Sequence, residues 1–141
     1  MTVILMTMVV VSLTLQQPPV ASAIAPSSSS EVAAFVEALN TCTAAKAATP
    51  HPLMKSFTVE HTIVGAREPG CDYRQTMPGK MAMVCVLSPE GRKAIATELS
   101  VYVKGGSISG STSSAPPVWM NECELEMPDG KRQPMVQPRR N

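Results

Sequence analysis

Apolar residues open the chain in one block and return afterwards in short periodic runs. Met1 to Leu15 is almost wholly apolar and carries no charged side chain. Gln16-Gln17-Pro18-Pro19 breaks the block, and Ala21-Ser22-Ala23 follows it. The block is shorter than the about 20 residues that a membrane-crossing helix needs. With the small-x-small pattern behind it, it reads as a cleaved export signal over residues 1–23.

Beyond that point the period becomes helical. Ser28 and Glu31 stand in the S-x-x-E relation of a capping box, and Val32, Phe35, Val36, Leu39 and Cys42 fall on one stripe. A first helix is predicted there, with Cys42 at its core-facing end. The prolines of Thr49-Pro50-His51-Pro52 stop it. Phe57 to Val64 then alternates as a strand, with Phe57, Val59, His61 and Ile63 on the apolar side. His61 is expected to lie buried or at the sheet edge, held by one hydrogen bond.

Gly65 to Gly70 reads as a connection. Cys71 to Thr76 and Lys80 to Leu87 form a predicted hairpin around Met77-Pro78-Gly79. Opposing Cys71 to Cys85 also opposes Tyr73 to Met83 and Gln75 to Met81, leaving a three-residue loop that ends in Gly. Pro78 fits poorly in the middle of that loop, so a shifted register with a longer loop stays open. Ser88-Pro89-Glu90 is a helix start: a hydroxyl N-cap, Pro at the first position and an acid in the first turn. Ile95, Leu99 and Tyr102 mark one face of this second helix, and Gly105-Gly106 ends it. Ser107 to Pro117 is rich in Ser, Gly and Pro and reads as flexible. Val118 to Met127 alternates again, with Trp119, Cys123, Leu125 and Met127 on one side and Glu122, Glu124 and Glu126 on a solvated face.

The order helix, three strands, helix, strand predicts an α+β domain. Its small antiparallel sheet, of about four strands, carries two packed helices and is stapled by disulfides. Removing residues 1–23 leaves 118, enough for one modest core. The predicted domain covers residues 24–130, with a flexible connection at 107–117 and a disordered basic tail at 131–141. That tail holds Lys131, Arg132, Arg139 and Arg140 and no acid, so the rest of the chain carries −3 of the formal +1. One Trp, two Tyr and two Phe give no aromatic and basic platform for nucleic acid.

Four cysteines in an exported chain suggest two disulfides. The hairpin register favours Cys71–Cys85, because directly opposed strand positions come close to bridging distance. Elimination then pairs Cys42 with Cys123, a bond worth roughly 4 kcal/mol by loop entropy. There is no C-x-x-C, and the spacing does not suit a zinc site.

Catalytic signatures are absent: there is no G-x-S-x-G, no H-E-x-x-H and no Gly-rich phosphate loop. No catalytic residue and no cofactor is assigned. One metal alternative remains, a Cu(I) site built from His51, Met54, Met81 and Met83, because thioether and imidazole ligands suit that ion. Met81 and Met83 share a face with Cys85 and Leu87, and core packing is the simpler reading of both.

Leu39-Asn40-Thr41-Cys42, His51-Pro52, Ile63-Val64-Gly65, Cys71-Asp72-Tyr73, Met77-Pro78-Gly79, Met83-Val84-Cys85 with Ser88-Pro89-Glu90, and Asn121-Glu122-Cys123 are spread over most of the mature chain. In these short motifs the chain resembles small exported bacterial proteins with a four-cysteine α+β domain. The resemblance implies compartment and disulfides and carries no functional residue across. The expectation is therefore an exported module, periplasmic or extracellular, that binds a protein or small ligand without catalysis. It would have no nucleic-acid partner and no stable membrane span once the signal is removed. A periplasmic copper-binding protein is the alternative.

Overall fold

The computed structural model describes residues 24–106 and 115–136. The predicted signal at 1–23, most of the 107–117 connection and the last five residues of the basic tail lie outside them. The described residues form helix α1 (Ser29–Thr41), strands β1 (Ala45–Pro50), β2 (Thr58–Arg67), β3 (Gly70–Met77) and β4 (Met81–Leu87), helix α2 (Pro89–Val103), then β5 (Cys123–Glu126) and β6 (Arg132–Pro134). The sheet is antiparallel throughout and runs in chain order from β1 to β6. The α+β class holds, but the sheet has six strands rather than about four.

The two added strands are β1 and β6, at the sheet edges. Helix α1 does not run on to the prolines. It ends where Cys42 takes a left-handed conformation, with φ 54°. Ala45 to Pro50 follows as a strand despite its three alanines, because Ala47 and Thr49 bury their side chains under the helices and the strand pairs with β2. Tertiary pairing outweighs the local propensity of alanine. At the other edge, Arg132 to Pro134 pairs with β5, so the predicted disordered tail at 131–141 contributes a strand instead. Val118 to Glu122 is a 3-10 turn rather than part of the predicted strand.

Both predicted helix starts are present. Ser28 Oγ accepts from the Glu31 backbone N–H at 3.3 Å, and Glu31 accepts from the Ser28 N–H at 2.6 Å. Ser88 Oγ accepts from the Gly91 N–H at 3.1 Å. Glu122, expected on a solvated face, instead accepts from the Ser88 N–H at 3.0 Å and the Ser88 hydroxyl at 2.6 Å. The 3-10 turn turns this carboxylate onto the N-terminus of α2, where an anion is favoured.

Helices α1 and α2 cover one face of the sheet. Val32, Phe35 and Leu39 of α1 and Ile95 and Leu99 of α2 close over Ile63, Tyr73, Met83 and Leu87. The opposite face is a polar ladder in which Arg74 and Arg132 both bind Glu126, at 2.7 and 2.9 Å. Such solvent-facing pairs add little stability.

The hairpin register corrects the cysteine pairing. In β3–β4, Cys71 opposes Leu87 and Tyr73 opposes Cys85, two residues from the predicted alignment. Pro78 sits at the start of a three-residue Pro78-Gly79-Lys80 loop, where its restricted φ suits the turn, and Gly79 supplies φ 75°. A shift of two keeps every side chain on its face but moves Cys71 away from Cys85. The disulfides are Cys42–Cys71, with Cα atoms 5.8 Å apart, and Cys85–Cys123, with Cα atoms 4.1 Å apart, not Cys71–Cys85 and Cys42–Cys123. The first joins the end of α1 to β3. The second joins opposed residues of β4 and β5.

Candidate functional site

Where α2 bridges the end of the sheet near the β1–β2 loop, helix and strands separate around a partly open cavity of about 210 Å³. Val59, Met77, Met83, Ile95 and Leu99 build its apolar wall. These residues alternate along strands or recur along α2, so the core pattern itself supplies the wall. Polar groups converge on the same space: His61 and Gln75 from the sheet, His51 from the β1–β2 loop, and Glu98 from α2. Trp119, carried in by the 3-10 turn, completes the lining.

His61 is 4% exposed and bound at both ring nitrogens, not at one as expected. The Tyr73 hydroxyl donates to Gln75 Oε1 at 3.1 Å. Its oxygen therefore accepts from His61 Nδ1–H at 2.7 Å, and His61 Nε2 accepts from the Thr49 hydroxyl at 2.9 Å. With the imidazole neutral, the chain of donors runs one way from Thr49 through His61 and Tyr73 to Gln75. Burial lowers the His61 pKa from 6.5 to about 4, because the imidazolium loses its hydration there. The Tyr73 phenol is pushed up, first by its own burial and then by the negative charge of Glu98.

His51 is held differently. Its Nδ1 accepts from the backbone N–H groups of Leu53 and Met54 at 3.2 and 3.0 Å, and its ring meets Phe57 edge-on at 5.8 Å. A neutral His51 thus carries its proton on Nε2. Glu98 Oε1 accepts from Trp119 Nε1–H at 3.0 Å, which ties α2 to the segment preceding β5.

The residues considered for Cu(I) are only partly gathered. His51 and Met83 line the cavity, with Met83 2% exposed, whereas Met54 is 43% exposed in the loop and Met81 begins β4 outside the lining. Met77 takes a place in the wall instead. Two lining residues escaped the sequence reading. Glu98 had a legible signal: Ile95, Glu98, Leu99 and Tyr102 follow helical spacing, so the acid lies on the buried stripe. Trp119 was placed on a strand face, which the 3-10 turn replaces.

Neither a protein-family model, nor a curated protein, nor a solved structure matches the chain.

Proposed function

We propose that this protein is an exported binding module that holds a small, largely apolar ligand between α2 and the sheet. The observation that carries this reading is the cavity itself: a preformed apolar space with a few convergent polar groups is the usual form of a small-molecule site. Its about 210 Å³ exceeds the ~150 Å³ that admits benzene and falls below the ~300 Å³ at the lower end of drug-sized pockets. A ligand of one ring or a short chain suits that size. The two disulfides and the short-motif resemblance support an oxidising compartment. No helix among the described residues is long and apolar enough to cross a membrane.

Trp119 is the only Trp in the chain and lines the cavity, so its emission reports occupancy directly. Titration with neutral 2-phenylethanol is expected to give a saturable change in that emission and to move the methyl resonances of Met77 and Met83. A linear, unsaturable response with unmoved methionine methyls would overturn the cavity reading. Export is checked separately. Protein recovered from the exporting host is expected to begin at Ile24 by intact mass, and recovery of a chain that retains residues 1–23 would refute cleavage.

A further inference from the structure

We infer that the ligand of this cavity is a small organic cation, an ammonium group on an apolar body, whose charge is met by Glu98. The inference rests on the cavity reading above and adds the chemistry of the head group.

Among the described residues, Glu98 is the only acidic side chain in the lining, and no Lys or Arg shares it. Among the described residues, none of the ion pairs includes Glu98. Its hydrogen-bond partner among the described residues is the neutral Trp119 indole, which orients the carboxylate through Oε1 and does not offset its charge. The half-buried carboxylate stands beside Ile95 and Leu99, where water is partly displaced.

An anionic ligand would be repelled by this carboxylate, and a neutral one could return at most an uncharged hydrogen bond. An ammonium group returns the lost interaction. The remaining lining offers an arriving cation no competitor of like charge when both imidazoles are neutral. Val59, Met77 and Met83 then receive the apolar body.

The test compares 2-phenylethylamine, 2-phenylethanol and phenylacetate on the whole chain by Trp119 emission. It is run at about pH 8, where free imidazoles are neutral and alkyl ammonium groups stay charged. The amine is expected to bind roughly fivefold tighter than the alcohol, the scale of a partly exposed ion pair. Phenylacetate is expected to bind more weakly than either. In Glu98→Gln the amine-to-alcohol ratio should fall to about one, while Glu90→Gln, in the first turn of the same helix, should keep it.

Saturable binding of the alcohol with no preference for the amine would overturn the cation assignment and leave the cavity reading standing. Binding of none of the three probes would overturn both. A preference that survives Glu98→Gln would remove Glu98 from the role. Should that variant lose its thermal transition, the wild-type ratio still decides for or against the cation.

Discussion

Reduction of both disulfides is expected to unfold the domain. The Cys42–Cys71 and Cys85–Cys123 bridges close loops of 29 and 38 residues that do not overlap in sequence. Loop entropy assigns each about 3.5–4 kcal/mol, together about 7 kcal/mol. A small domain has only about 5–15 kcal/mol of stability in total. The effect is enlarged by position: Cys71, Cys85 and Cys123 are at most 3% exposed and form part of the core itself. Replacing one bridged pair by serines should cost about 3–4 kcal/mol and lower the denaturant midpoint without abolishing the transition. Reduction of both should leave no cooperative transition at room temperature. A reduced protein that melts within a few degrees of the oxidised one would refute this account. Peptide mapping without reduction should recover Cys42 joined to Cys71 and Cys85 joined to Cys123.

Stability should also fall steeply as the pH drops from 6.5 toward 4, with His61 as the main source. The native state holds His61 neutral, while the unfolded chain protonates it near its ordinary value. Between those limits the unfolded state binds more protons, so stability rises with pH. The contribution is complete above 6.5 and is lost as the pH falls to about 4, a span worth about 3 kcal/mol. Glu31, Glu126 and Asp129 are held below their ordinary values by hydrogen bonds from Ser28, Arg74 and Lys131 respectively. Their contributions begin to fall only near the acid end of this range and are solvent-screened. Urea unfolding across this range should show the slope in the wild type and a much flatter profile in His61→Gln, which keeps hydrogen-bonding groups but does not titrate. An equally steep profile in that variant would assign the pH dependence elsewhere.

Both helix starts were readable from local chemistry. Ser28 with Glu31, and Ser88 with Pro89, act on backbone groups within a turn of themselves. The core face of β2 was readable too, because strand alternation places Val59, His61 and Ile63 on one side wherever the strand lies. The cavity was legible only in part. Glu98 on the stripe of Ile95 and Leu99 announced an acid on a buried face, but the partner that orients it comes from a turn 21 residues away.

Cysteine pairing and edge strands were not local matters. The β3–β4 register turns on whether Pro78 opens the loop or sits inside it, and a two-residue slip preserves every face while exchanging both disulfide partners. Ala45 to Pro50 carries no strand signal of its own and becomes a strand by pairing with β2. Arg132 to Pro134 is exposed and takes its strand pairing from β5. The sequence by itself determined the caps, the α2 stripe and the alternation of β2, since each depends on side chains within one or two turns of the backbone. Only the tertiary structure decided the register, the bridges and the cavity, since these depend on which distant surfaces meet and what volume remains between them.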